Sequence, residues 1–353
     1  MLNETSRRKL DHIRIAVEES VESEELNWFG FVKLIHQAAP SISLEEVDPS
    51  ITFLRVKISF PLLIEAITGG HKVSYEINRT LAKIASEAKI PIGVGSQRAA
   101  LEDSSLVRTY RIVRDEAPDV PVLANLGISH VCRKDGIELA KRAVDMIDAD
   151  ALAVHVNVLQ ELLQPEGDLE ESSVIPFLAD LKRELDVPVI VKEVGNGISG
   201  ELASLLDLIG IEYIDVGGAG GTNWAKIEGL RRKDRSLSGD FVYWGIPTVV
   251  SIYEAANSVK RARIIGSGGI RSGVDMAKAI ALGASMTGAA RPFLEAVVRG
   301  GEADLRRKIR AFEESFKICL VLTDSRTVEE LRLSKKAILT GKALEWMRSR
   351  GFS

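Results

Sequence analysis

Within the stretch "HVNVLQELLQPEGD" (155–168), His155, Asn157, Gln160 and Glu161 bring an imidazole, two amides and a carboxylate together. Such groups suit hydrogen bonding to an anion and oxygen ligation of a hard cation. Before them runs "DADALA", the approach to a buried strand. Strand alternation puts Ala151, Ala153, His155 and Asn157 on one face and Leu152, Val154 and Val156 on the other. The small residues leave room low on that face, and the polar pair sits at its end. Lys192 closes a second apolar run, "VPVIVK", on the same face as Pro188 and Ile190. A lysine there is costly unless it meets an anion. It can snorkel, pair with Glu193 or Asp215, or serve as a cation beside an electron-rich cofactor. Two glycine-rich stretches, "SGGIRSG" (267–273) and "GAARP" (288–292), let backbone N–H groups approach an anion.

These groups need a scaffold that gathers them. Short β-branched runs recur at 61–67, 90–95, 121–125, 151–157, 187–192, 211–216, 262–267 and 284–289, without clean polar alternation. That pattern fits parallel strands buried on both faces. Helical patterns lie between them, so the expectation is an α/β chain folded as one (β/α)8 TIM barrel domain over 61–301. Residues 1–60 form an N-terminal extension with little regular pattern, and 302–353 are expected to be helical, with a capping box at Thr327 and Glu330. A long loop after strand 6, 217–247, is of the kind that acts as a lid.

Composition narrows the class. The 353 residues are 45% hydrophobic and 27% charged, with a formal net charge of -4, so nothing suggests nucleic-acid binding. No apolar run is long enough for a membrane span, and the first residues lack an apolar signal region. Cys132 and Cys319 lie far apart in no metal-ligand spacing and read as buried or free thiols in a reducing compartment. A cytoplasmic location is expected.

Barrel enzymes place chemistry at the carboxyl ends of their strands. Here those ends carry "TGGH" (68–71), "SQR" (96–98), Asn125, His155 with Asn157, Lys192, "GGAGGT" (217–222), "GSGGIRSG" and "GAARP". Phosphate sites in such barrels are commonly built after strands seven and eight. A flavin mononucleotide fits both halves, with its phosphate on those loops and its ring near the Lys192 ammonium.

This combination resembles the type 2 isopentenyl-diphosphate isomerases, the FMN-dependent form, over almost the whole chain. The resemblance rests on "RKLDH" (8–12), "TGG" (68–70), "SQR", Asn125, "HVNVLQE…QPEGD", Lys192, "GGAGGT", "GGI" (268–270) and "AARP" (289–292). It implies interconversion of isopentenyl and dimethylallyl diphosphate by a 1,3-allylic proton shift, with reduced FMN as acid and base. It further implies NADPH to reduce the flavin and Mg²⁺ on the diphosphate. By resemblance, substrate contacts fall to Arg8, Lys9, Ser96, Gln97, Arg98, His155, Asn157 and Gln160, with catalytic roles for Gln160, His155 and Asn157. Glu161 would hold the metal. FMN contacts would be Thr68, Ser96, Asn125, Lys192, Thr222, Gly268, Gly269, Ile270, Ala289 and Ala290. The family forms tetramers and octamers, so a homotetramer or homo-octamer is implied, and the N-terminal arm can serve its own or a neighbouring site.

Two other functions fit parts of the pattern. An FMN-dependent hydroxy-acid oxidase or dehydrogenase needs a general base, usually histidine, on a later strand. All five histidines here, at 12, 36, 71, 130 and 155, precede the fifth strand's end. A non-enzymatic phosphate-binding barrel predicts a colourless protein without turnover.

Overall fold

The computed structural model describes residues 4–164, 174–232 and 236–352, with the backbone alone for 4–8. The part of "QPEGD" beyond Gln164, together with Lys233 and Arg235, lies outside the described residues. Eight parallel strands close into a barrel in chain order. They are β1 (Leu62–Ile64), β2 (Ile92–Gly93), β3 (Val122–Gly127), β4 (Ala151–Val156), β5 (Val189–Glu193), β6 (Tyr213–Asp215), β7 (Arg263–Ser267) and β8 (Met286–Ala289). Each lies inside one of the eight apolar runs, or within two residues of it. β8 pairs with β1 from Thr287↔Leu62 to Ala289↔Ile64 and seals the barrel.

Alternation sorts the two faces. Leu63, Leu123, Ala151, Ala153, Ile190, Tyr213, Ile265 and Met286 fill the interior as one buried cluster. Leu62, Ile64, Leu152, Val154, Val189 and Val191 join the larger core under the surrounding helices. The bottom of the barrel is closed by an antiparallel hairpin, Ile51–Phe53 with Val56–Ile58. Its Phe53 ring meets Tyr213 edge-on at 5.1 Å.

The N-terminal extension is more regular than its sequence suggests. Helix α1 (Glu4–Glu18) crosses the top of the molecule. Strand Val32–Leu34 pairs antiparallel with Ala337–Leu339, so the C-terminal segment is not wholly helical. Three-residue strands are too short to show alternation. The hairpin turns on Leu54 and Arg55, at φ 46° and 67°, without the Asn-Gly signature that normally marks such turns. Thr327 does cap the helix Val328–Leu333, accepting from the Glu330 N–H. The Glu330 carboxylate instead takes the N–H of Arg326, one residue before the cap. Among the described residues no helix is long and apolar enough to cross a membrane.

Three more helices position the site. They are α2 (Val158–Leu163) after β4, α3 (Trp224–Arg231) in the insert after β6, and α4 (Arg291–Leu322) after β8. Gly301 breaks α4, with φ 63° and ψ -150° inside it.

Candidate active site

The carboxyl ends of the strands open into one large cleft, roofed by Lys9, His12, Ile13 and Ala16 of α1 and by Trp224 and Ile227 of α3. At the end of β4, His155 Nδ1 lies 2.7 Å from Asn125 Oδ1. Burial, reinforced by the positive charges of Lys192 and Lys9, pushes the imidazole down to about 3, so it is neutral. Gly127 makes room for it, since a Cβ there would stand 2.9 Å from Nε2.

Asn157 is the residue before α2, yet its side chain makes no capping bond. Its amide instead donates to Gln160 Oε1 at 3.1 Å and to Glu161 Oε1 at 2.9 Å. Gln164 donates to the other Glu161 oxygen. Gln160 then donates to Glu228 Oε1 at 3.2 Å. Glu228, on α3, is fully buried; it also receives His12 Nε2 at 3.1 Å, and Arg231 at 2.5 Å on its second oxygen. Burial opposes its ionisation, but His12 and Arg231 together hold it below the usual carboxylate range. Burial likewise lowers His12 against the pull of Glu228. One carboxylate thus joins the roof helix, the insert and the β4 cluster.

Across the mouth, Lys192 Nζ lies 3.5 Å from Glu65 Oε2 and 3.6 Å from Asp215 Oδ2, and donates to the Glu193 carbonyl at 3.2 Å. Burial disfavours the ammonium, yet the two carboxylates raise Lys192 above its ordinary value. Ser267 donates to Asp215. Glu193 folds back, and its Oε2 accepts the N–H groups of Val194 at 2.6 Å and Gly195 at 2.7 Å. Glu65 Oε1, Asp215 Oδ2 and Asn157 Oδ1 are buried without a hydrogen-bond partner. Oxygens left so in a built cluster are the mark of a site that expects a donor.

The glycine loops line the third side. Gly268 and Gly269 have φ of 102° and 77°, and a Cβ on Gly269 would meet Gly220 O at 2.3 Å. Asn27 ties both loops, donating to Gly220 O at 3.1 Å and Gly269 O at 2.9 Å. Ala289 and Ala290 lead into the N-terminus of α4, an anion-favouring end. Arg291 caps the other end of the roof, donating to Ala16 O at 2.8 Å.

Most of the expected site residues meet in this cleft. Lys9, Thr68, Ser96, Arg98, Asn125, His155, Asn157, Gln160, Glu161, Lys192, Thr222, Gly268, Gly269, Ile270, Ala289 and Ala290 all line it. Gln97 is not among them and is fully buried. Its amide donates to Ala143 O at 2.8 Å and accepts from Asn125 N–H at 2.9 Å, so it holds the Asn125 backbone from within the wall. The side chain of Arg8 lies outside the described residues. Glu65, Glu228 and Trp224 were missed by sequence reasoning. Glu65 did carry a signal, a carboxylate inside the apolar run "PLLIEAI". Glu228 carried none, because apart from Arg231 on its own helix its partners lie on α1 and α2, far away in sequence.

Residues 138–338 match the FMN-dependent dehydrogenase family. The solved structures it resembles share the fold at low identity. A flavocytochrome b2 variant with sulfite bound has a TM-score of 0.72 at 18% identity, over 95% of this chain and 84% of that one. A mandelate oxidase mutant with (S)-mandelic acid has a TM-score of 0.68 at 18% identity, over 95% of this chain and 97% of that one. Barrel and cleft together define a member of the FMN-dependent dehydrogenase class. Within it the relatives are more specific. An isopentenyl-diphosphate delta-isomerase of Methanothermobacter thermautotrophicus is 45% identical over 98% of this chain and 97% of its own. One of Archaeoglobus fulgidus is 45% identical over 98% and 99%. The chain belongs to the isopentenyl-diphosphate delta-isomerase family.

Proposed function

We propose that this chain interconverts isopentenyl and dimethylallyl diphosphate in the cleft, with FMN bound and Mg²⁺ on the diphosphate. The observation that carries this reading is the Asn157–Gln160–Glu161 cluster, roofed by α1 and facing Lys192 across the mouth.

The residues suit the flavin. Orphan oxygens and glycines line the cleft, and Lys192 offers an ammonium. Thr68, Ser96, Asn125, Lys192 and Thr222 would hold the ring side; Gly268, Gly269, Ile270, Ala289 and Ala290 would hold the phosphate. Bound and reduced, FMN would supply acid–base capacity for the shift. NADPH serves only to reduce it.

The chain's own residues do the rest. Lys9 and Arg98 supply positive charge for the diphosphate. His155 is neutral, so it binds an anion only as a donor through Nε2–H. That requires the Asn125 amide to be turned so that its N–H donates to Nδ1, an arrangement the same 2.7 Å contact permits. Glu161 would hold Mg²⁺ carried in on the diphosphate, a cation that needs few protein ligands. The amides of Asn157 and Gln164 orient both Glu161 oxygens toward that task. Gln160 is neither a strong acid nor a strong base, and it orients the alkene end. The α1 and α3 roof excludes water, as a carbocation-like intermediate requires. A cytoplasmic homotetramer or homo-octamer completes the proposal.

Solvent deuterium should enter isopentenyl diphosphate only with reduced FMN and Mg²⁺ present. Exchange that needs neither would sink the proposal, and flavin reduction by lactate or glycolate would favour the oxidase reading.

A further inference from the structure

A carboxyl group that no step above uses sits at the floor of the cleft. Glu65 ends β1, is 6% exposed, and lines the cleft beside Lys192. The charged groups facing it are Lys192 from β5 and Asp215 from β6. β8 presents only Gly288, where a Cβ would stand 2.2 Å from Glu65 Oε1. β7 presents the Ser267 hydroxyl, already donated to Asp215.

Two buried carboxyls therefore flank one ammonium, and each has an oxygen without a hydrogen-bond partner. With both ionised the cluster carries a net negative charge in a low-dielectric floor. One proton removes that charge and supplies a donor for the other carboxylate. Glu65 is the site that takes it, since Asp215 already accepts from Ser267 and from the Gly217 N–H at 3.3 Å.

We propose that Glu65 is a proton-holding positioning residue, kept protonated beside Lys192 and Asp215 beneath the ring of bound FMN, so that the ammonium stays available to the negative charge of the reduced ring. This rests on the FMN reading above. Burial first, and Asp215 second, push the Glu65 carboxyl up to about 8. A negatively charged ring over the cluster pushes it further in the same direction.

The consequence is a proton count. Reducing FMN by two electrons, supplied by dithionite, to a singly negative ring takes up one proton at the ring. Below the Glu65 titration Glu65 keeps its proton in both redox states. Above it the new negative charge draws a second proton from solvent onto Glu65. The experiment is the midpoint potential of the bound FMN, measured against pH from neutral to alkaline. The slope should rise from one proton per electron pair to two in the wild type. It should stay at one in Glu65→Gln. In Asp215→Asn the break should move down by roughly 1 pH unit or more, because a like charge has been removed. Superimposable slopes in the wild type and Glu65→Gln overturn the proposal while leaving the FMN reading intact. If Glu65→Gln does not fold, an unmoved break in Asp215→Asn overturns it instead. A wild-type chain that takes up no FMN overturns the flavin reading, and this proposal with it.

Discussion

Glu228→Gln isolates how the roof is held. The substitution keeps size and one carbonyl-type acceptor but removes the charge. In the wild type the neutral His12 donates to Glu228 Oε1 at 3.1 Å, a polar link from α1 to α3. A hydrogen bond to a charged acceptor contributes about 1.5–3 kcal/mol, and one to a neutral acceptor about 0.5–1.5 kcal/mol. The exchange should therefore loosen α1 by about 1–1.5 kcal/mol, roughly a 5- to 12-fold rise in its local opening. The apolar contacts of Ile15, Val21 and Ile227 persist, so the barrel itself should stay folded. Amide hydrogen exchange reads this directly: α1 amides should exchange faster, while barrel amides such as those of β4 stay unchanged. Turnover should fall with the loss of Gln160 orientation, and the KM for the diphosphate should rise as the roof opens. If α1 exchange is unaffected, the reasoning is wrong. The roof is then held by Arg291 and Arg299, which donate to Ala16 O and Val17 O at its C-terminal end.

Other perturbations separate the roles of neighbouring residues. Glu161→Gln should weaken the Mg²⁺ dependence and leave FMN bound; loss of FMN colour instead would mean the site is misassigned. Gln160→Ala should cost turnover far more than flavin affinity, measured by FMN fluorescence quenching. Gly269→Ala forces a side chain onto φ 77° and toward Gly220 O, and should destabilise the loop by about 1–3 kcal/mol, with weaker FMN binding. Glu193 gives a pH prediction for the FMN-free chain. Burial, against its bonds to Asn196, Gly195 and Val194, pushes its carboxyl up to about 7. The folded form then holds a proton that the unfolded chain has lost above its ordinary carboxyl range. Its contribution is full at acid pH and falls as pH rises through about 7, by on the order of 3 kcal/mol. Chemical unfolding across that range should show the fall, and Glu193→Gln should flatten it.

The barrel was legible because its strands are apolar on both faces and separated by amphipathic helices. Every apolar run became a strand, and the inward set Ala151, Ala153 and Ile190 followed from alternation alone. The strand-end residues were legible for the same reason: parity and position place them on the rim. What failed were features whose cause lies across the chain. Gln97 shares the rim motif "SQR" with Ser96 and Arg98, yet it turns into the wall, where the Ala143 carbonyl and the Asn125 N–H need partners. Glu228 reaches the roof and the β4 cluster through His12 and Gln160, 216 and 68 residues away. The hairpin at Leu54 and Arg55 was hidden because residues that normally avoid positive φ adopt it.

The fold is shared with flavocytochrome b2 and mandelate oxidase, so the barrel cannot by itself decide the chemistry. The rim does. Removing a proton α to a carboxylate while the flavin takes a hydride needs a base near neutral strength on the later strands. In this chain the end of β5 gives Lys192, held charged by Glu65 and Asp215, and Glu193, engaged with the loop that follows it. β6 ends in Asp215, paired with Lys192, and β7 in Ser267, which donates to Asp215, and glycines follow both. The histidines lining the cleft, His12, His130 and His155, all come from earlier in the chain, and burial keeps His12 and His155 weak as bases. The polar groups concentrate instead on β4 and α2, where amides and one carboxylate can orient a diphosphate and its cation without taking its electrons. A rim whose later strands carry no histidine, facing a roofed cluster of amides, suits a proton shift in which the chain binds and orients. Restoring a histidine there, for example Gly217→His, should not create lactate oxidation. A Cβ at Gly217 would already stand 2.0 Å from Glu193 O, so the backbone leaves no place for the base.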